Sequence, residues 1–182
     1  YPTLDVPYHS RWRHFEAGQV DRIEHMMQPL HYLNVTDRGK ILYELVIISV
    51  FLDAGAGASW RYLEQQTGTY YTRSEGLALA SLDLYRSGIF SAYADQPYRV
   101  DAQRLIEFNE NDLCQALQID ADNPLEGING RIALLNKLGV IIQEKTDYFG
   151  TEGRLGDFYT YVSSQAQHNT LAASSIFQAV LH

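Results

Sequence analysis

The chain has very little of the sulfur and of the long apolar stretches that mark secreted and membrane proteins. Its 182 residues include one cysteine, Cys114, so an internal disulfide is excluded and a reducing compartment is expected. The longest mostly apolar run, Leu45 to Leu52, is far shorter than the roughly 20 residues of a membrane-spanning helix. No basic-then-apolar segment of the signal-peptide type opens the sequence. We therefore expect a cytoplasmic protein without a membrane partner.

Positive charge is also scarce. The chain carries 14 Lys and Arg against 22 Asp and Glu, a formal net charge of −8 at pH 7. Such a molecule repels a phosphodiester backbone, so nucleic acid is not expected as a partner.

Several motifs of cofactor and metal chemistry are missing as well. The six histidines form no HxH or HExxH pattern, which gives no support for a zinc site. The stretch Gly55-Ala56-Gly57 lacks both the lysine of a phosphate-binding loop and the third glycine of a dinucleotide fingerprint. No Gly-x-Ser-x-Gly nucleophile elbow occurs. We expect neither a cofactor nor a metal.

What the chain does contain is mainly helical periodicity, and we predict a mainly α fold with a small β-hairpin. A long helix is predicted from Thr36 or Asp37 to Gly55, in a central position because it is apolar nearly all round. The hairpin is predicted within Trp60–Thr72, and a capping box of Thr72 and Glu75 opens the next helix. That helix is expected to end at Gly88, and further helices are predicted over residues 101–108, 113–117, 130–144 and 171–181. Residues 1–20 are expected to form an extended, ordered loop.

A series of unusual motifs runs along the first 140 residues. They are VPYHSRWRHFE at 6–16, LDAGAG at 52–57, WRY at 60–62, RSEGLA at 73–78, GIFS at 88–91, RVDA at 99–102, NPL at 123–125 and GR at 130–131. In this order they resemble the uracil-catabolism protein four family, pyrimidine-degradation proteins of bacteria and fungi. Members are about twice this length, so the resemblance implies that residues 1–182 are one domain and the central fragment of a longer helical protein.

The resemblance also implies an activity. The pathway converts uracil to its ribonucleotide, opens the ring and releases urea, so the implied enzyme hydrolyses the C–N bond of a ribosylurea-type, phosphorylated intermediate. The family is distantly similar to queuosine 5′-phosphate N-glycosidases, which implies a helical fold like that of DNA glycosylases. Two alternatives stay open: a uracil phosphoribosyltransferase-like activity, and a non-enzymatic binding or scaffold protein of the same pathway.

A cluster of basic and aromatic residues near the start of the chain is a candidate substrate site. In an extended segment, His9, Arg11 and Arg13 share one side, with His14 next to them. Guanidinium and imidazole donors suit a 5′-phosphate, whereas the structural alternative is pairing with acids of neighbouring helices. We predict that this cluster shares a pocket with Asp53.

Two carboxylates are candidate catalytic groups. Asp53 ends the most apolar helix beside two glycines, where poor solvation could raise its pKa for general-base work, although it could equally bind amides of the glycine turn. Glu75 is the second candidate, and the capping box explains it without any catalytic role.

Three further side chains complete the predicted substrate site. Trp60 and Tyr62 alternate with Arg61 and so share a face, which is either the aromatic wall of a pocket or the buried side of the hairpin. Arg73 lies next to them in sequence, beside Glu75.

Overall fold

Most of the described backbone is helical. The computed structural model describes residues 6–52, 59–149 and 153–166, with the side chains of 15–52, 59–146 and 153–163. The chain divides into two units, Tyr1–Asn34 and Val35–His182, each with its own internal packing. The expectation of one domain over residues 1–182 stays a prediction.

The first unit is a long helix. Helix α1 covers Val6–Met27 and is followed by the 3₁₀ turn Gln28–Leu30. The extended loop predicted for residues 1–20 is therefore wrong over residues 6–20, and residues 1–5 lie outside the described residues. Pro7 lies in the first turn of α1, where its missing N–H costs no helical hydrogen bond, and no proline follows until Pro29. This segment was predicted as a loop because it is rich in aromatic and basic residues, yet no residue within it interrupts the helix.

The second unit begins with helix α2, Val35–Leu52, as the sequence predicts. Ile41, Ile48 and Leu52 lie in the core, at 4%, 0% and 0% exposure. The central position is wrong, because Leu42, Val46 and Val50 lie one turn apart along the helix and are 40%, 58% and 63% exposed. α2 packs against other helices of this unit on one side and leaves an apolar stripe on the other.

The predicted hairpin is confirmed. Strand β1, Arg61–Glu64, pairs antiparallel with strand β2, Thr69–Thr72, with Arg61 opposite Thr72 and Glu64 opposite Thr69. In the described part of the chain, this two-stranded sheet is the whole β-structure apart from isolated bridges.

Helix α3, Arg73–Ser87, ends as predicted but begins differently. Gly88 takes the left-handed conformation, φ 77°, and its N–H bonds the carbonyl of Tyr85. At the other end, Thr72 is the N-cap residue, yet its side chain makes no capping hydrogen bond. The predicted capping box is wrong because Arg73 has a positive φ of 53°, which turns the chain directly from β2 into α3.

Three helices follow in the order the sequence predicts. They are α4, Ala102–Glu107, α5, Glu110–Ala116, and α6, Ile128–Phe149. A capping box does occur in this unit, at the start of α5, where Asn109 and Asp112 bond each other's backbone amides. Asp101 precedes α4 as predicted, but its carboxylate accepts from the Ala92 amide and from Arg99 instead of capping the helix.

The last described element was not predicted. Helix α7 covers Asp157–Ala166 and packs against α2. The helix predicted at 171–181 lies outside the described residues. None of the described helices is long and apolar enough to cross a membrane.

Candidate functional site

The predicted phosphate-binding cluster falls on helix α1. His9, Arg11, Arg13 and His14 belong to this helix, and their side chains lie outside the described set. In a helical backbone, alternate positions no longer share one side, so the spacing argument for this cluster is wrong. Asp53, with Gly55 and Gly57, lies outside the described residues. A pocket shared by Asp53 and this cluster stays a prediction.

Two other predicted residues open helix α3. Arg73 is exposed and Glu75 is partly buried in the first turn. Gly76 follows them against the hairpin, where an added Cβ would lie 2.8 Å from the Tyr71 carbonyl oxygen and 2.9 Å from the Trp60 ring. This close packing holds the start of α3 directly against the hairpin.

Trp60 and Tyr62 share the buried face of the hairpin, with ring centroids 6.2 Å apart. Trp60 is 0% exposed, and its Nε1 donates to the Leu117 carbonyl at 3.0 Å. Trp60 is thus a core residue. Tyr62 is also buried, at 4% exposure, but its ring forms part of the wall of a cleft.

This cleft lies between β1, α3 and α5 and has a volume of about 480 Å³. That size falls within the roughly 300–1,000 Å³ range of small-molecule sites. Polar side chains and an apolar surface line it: Tyr62, Asp83, Leu84, Ser87, Gly88, Ile89, Asp112, Gln115 and Ala116.

The centre of the polar surface is a hydrogen-bonded pair. The Tyr62 hydroxyl donates to Asp83 Oδ2 at 2.8 Å. Burial, and then this bond to Asp83, raise the pKa of Tyr62 above its usual range. Tyr62 therefore stays protonated and keeps donating, which holds the Asp83 carboxylate in one orientation at the cleft wall.

Side-chain amides fix the position of Tyr62 from the other edge of β1. Gln118 bonds both the amide and the carbonyl of Leu63, each at 3.0 Å. Asn123 does the same for Arg61, each at 2.8 Å. These two side chains make the backbone hydrogen bonds that a third strand would make to β1. They hold β1 firmly beside α5, so the cleft keeps its shape.

A second polar cluster lies in the core of this unit and is fully satisfied. Glu44 of α2 is 0% exposed and accepts from Arg154 Nε at 2.6 Å, the Tyr85 hydroxyl at 2.8 Å and the Gly156 amide at 2.8 Å. Burial raises the pKa of Glu44, and Arg154 opposes that shift. With every donor already engaged, this cluster joins α2, α3 and the segment before α7, and its role is structural.

Arg131 of α6 is a further buried charge. It is 0% exposed and donates to the carbonyls of Leu52 and Glu126. It thereby ties the C-terminal end of α2 to the start of α6.

Sequence reasoning missed Asp83, Asp112 and Glu44. Glu44 carried a signal, because it is the one charged residue between Ile41 and Leu52, the apolar part of the predicted helix. Asp83 carried a weaker one, between Leu82 and Leu84 in α3. Asp112 carried none, since its place at the cleft depends on how α5 packs.

Comparison with known proteins assigns the chain to a family. The model of the family described as "Protein of unknown function (DUF1688)" matches residues 1–182. The chain belongs to the DUF1688 family. Among its relatives, Uracil catabolism protein 4 of Lachancea kluyveri is 34% identical over 163 residues, which cover 88% of this chain and 37% of that protein. Protein urg3 of Schizosaccharomyces pombe is 36% identical over 157 residues, which cover 84% of this chain and 39% of that protein.

These matches confirm the family resemblance read from the motifs. The DUF1688 chain spans less than half the length of the two curated relatives. No solved structure matches it, so the similarity to DNA-glycosylase-like N-glycosidases stays a prediction.

Proposed function

We propose that this DUF1688 protein acts in uracil catabolism and hydrolyses the C–N bond of a phosphorylated, ribosylurea-type intermediate. The proposed pathway rests on the name of a relative, Uracil catabolism protein 4, which is 34% identical over 88% of the chain. The hydrolytic step is the reaction that the family resemblance implies. In it, water adds at the anomeric carbon, the C–N bond breaks, and urea and ribose 5-phosphate leave.

The chemistry needs a carboxylate near the anomeric carbon and a donor for the leaving nitrogen. Asp53 is the proposed catalytic carboxylate and Glu75 the second candidate. His9, Arg11, Arg13 and His14 are the proposed phosphate ligands. Tyr62 and Arg73 complete the proposed substrate site, whereas the buried Trp60 supports it from the core. Tyr62 and the cleft beside it support a small-molecule substrate, because the cleft has the volume and the polar lining of such sites.

The transferase alternative finds less support. Phosphoribosyl transfer of the usual kind uses a doubly wound parallel sheet. In the ranges that the structure describes, the strands form a two-stranded antiparallel hairpin instead.

The test is turnover by the intact protein. We expect incubation with ribosylurea 5′-phosphate to release urea and ribose 5-phosphate in equal amounts. Asp53→Asn should lower kcat by about 10²- to 10⁴-fold, as loss of a positioned base does, while the melting temperature changes little. Asp95→Asn is the matched control, since Asp95 is an exposed loop residue away from the cleft.

Absence of urea at any protein concentration would contradict the hydrolase proposal. Formation of uridine 5′-phosphate from uracil and phosphoribosyl pyrophosphate would favour the transferase instead. If Asp53→Asn turned over within a few-fold of the unchanged protein, Asp53 would not be the base.

A further inference from the structure

We propose that the cleft between β1, α3 and α5 binds the ureido end of the substrate, a small N–H-rich amide without negative charge, through Asp83 and Asp112. The identity of the ureido group rests on the proposed function. The preference for an uncharged hydrogen-bond donor rests on the cleft alone. Glu75, the one proposed catalytic residue that the structure describes, does not line it.

The charge of the lining decides which end of a ribosylurea phosphate can enter. Among the described side chains of the wall, two are acidic, Asp83 and Asp112, and none is basic. Against this described part of the wall, a phosphate would meet two carboxylates and no cation, which costs free energy in a partly desolvated site. The phosphate must therefore lie elsewhere, and the neutral end of the molecule enters the cleft.

Asp83 offers the better acceptor of the two. The Tyr62 hydroxyl donates to Asp83 Oδ2 and so holds the carboxylate in one orientation. The other oxygen, Oδ1, can accept a hydrogen bond from a ligand. Within the described ranges, no Lys, Arg or His lies within ion-pair distance of Asp83. Further N–H donors stabilise a partly buried carboxylate that accepts from one neutral donor, and a ureido group supplies such donors.

Asp112 of α5 repeats this arrangement in the same cleft. Its Oδ2 accepts from the Asn109 backbone amide at 3.2 Å and from Asn109 Nδ2 at 2.8 Å. The capping box thus fixes this carboxylate through one oxygen. The other oxygen can accept from a ligand while α5 keeps its cap.

The remaining lining suits a planar amide. Gln115 is exposed at the rim, where its amide N–H can donate to a ureido carbonyl. Leu84, Ile89 and Ala116 provide an apolar surface against which a flat group can lie. Carboxylate acceptors, an amide donor and apolar side chains in one lining match the hydrogen-bonding groups of urea.

The test measures binding of N-ribosylurea, which has no phosphate, to the intact protein by calorimetry. Asp83→Asn keeps the size of the side chain and an acceptor for Tyr62 but removes the charge, and we expect binding to weaken about 10-fold or more. Ser87→Phe places a ring in the cleft from an exposed position and should abolish binding without touching either carboxylate. Asp95→Asn is the control and should bind within two-fold of the unchanged protein, and all four melting temperatures should agree closely.

A second arm locates the phosphate. If the cleft holds the ureido end, Asp83→Asn weakens binding of N-ribosylurea and of its 5′-phosphate by the same factor. A selective loss for the phosphorylated form would contradict the proposed orientation.

The proposal would be overturned if the Asp83→Asn and Ser87→Phe proteins bound N-ribosylurea as tightly as the unchanged protein does. It would also be overturned if the unchanged protein did not bind N-ribosylurea. These results are separable from the proposed activity. Cleft-dependent binding without urea release would support the cleft and contradict the hydrolase. Urea release that Ser87→Phe leaves unchanged would support the hydrolase and contradict the cleft.

Discussion

At the scale of single residues, the strongest constraint in the protein is the carboxylate of Glu44. It lies in the core with no exposed surface and accepts hydrogen bonds from an arginine, a tyrosine and a backbone amide. Gly156 can approach it only because it has no side chain, since a Cβ there would clash with Glu44 Oε1. Removing one member of such a cluster leaves the other groups buried without their partner.

Glu44→Gln is therefore expected to lower the free energy of unfolding by about 3 kcal/mol. The amide keeps the shape but cannot balance the Arg154 guanidinium, and its own NH₂ group would face donors. Lys40→Gln is the control on the same helix: it removes the Lys40–Asp157 ion pair, whose side chains are 20% and 21% exposed, and should cost less than about 1 kcal/mol. Urea denaturation measures both, and equal losses would contradict the assigned role of Glu44.

At the scale of elements, α4 and α6 pack closely against each other. A Cβ added at Gly139 would lie 2.8 Å from the Ala102 carbonyl oxygen and 2.9 Å from the Ile106 amide nitrogen. Both atoms belong to the backbone and cannot rotate away. Asn136, one turn earlier in α6, donates to the carbonyls of Leu105, Ile106 and Phe108 at the C-terminal end of α4.

The same substitution at two positions of α6 should thus have opposite effects. Gly139→Ala should push α4 away and destabilise the protein by about 2 kcal/mol. Gly130→Ala, where an added Cβ meets nothing within 4 Å, should stabilise it by about 0.5 kcal/mol through helix propensity. Thermal unfolding followed by circular dichroism checks the pair. A Gly139→Ala protein as stable as Gly130→Ala would show that α4 and α6 are not in this close contact.

The elements also show what the sequence could predict. Hydrophobic periodicity predicts α3, and Gly88 predicts where it ends. The aromatic runs of residues 60–72 predict the hairpin. These predictions succeed because the signals are local. The capping box failed at Thr72 because Gly76 packs against the hairpin and the chain must turn sharply at Arg73. Helix α1 was missed because residues 1–20 show no clear hydrophobic period, although arginine itself is a good helix former.

The candidate site was predictable only in part. Tyr62 could be placed on a pocket wall because alternation along a strand is a local property. Asp83 and Asp112 lie 29 residues apart and meet one cleft only through the packing of α3 and α5. A single sequence contains no signal for that packing.

At the scale of the whole molecule, tyrosine dominates the titration behaviour of the fold. The chain has 13 tyrosines but only three lysines among its 14 basic residues. Burial raises the pKa of Tyr43, Tyr62 and Tyr85 above the usual value of 10.0, with bonds to Asp83 and Glu44 adding to the shift at Tyr62 and Tyr85. In the unfolded chain, the same phenols ionise near pH 10.

The sign of the resulting pH dependence follows from proton counting. Above about pH 10, the unfolded chain has lost protons that the folded protein keeps, so the free energy of unfolding falls as the pH rises. Each buried tyrosine contributes about 1.4 kcal/mol per pH unit to that slope. Below about pH 9 these tyrosines contribute no slope, because they are protonated in both states.

We therefore expect alkaline unfolding in which the buried tyrosines ionise only as the fold is lost. Absorbance at 295 nm should show a cooperative step that coincides with loss of the helical circular dichroism signal. Tyr85→Phe should reduce the dependence of stability on pH above pH 10 by about 1.4 kcal/mol per unit, because one linked proton is removed. A slope for Tyr85→Phe equal to that of the unchanged protein would contradict the burial of Tyr85 against Glu44, and with it the polar cluster that joins α2, α3 and the segment before α7.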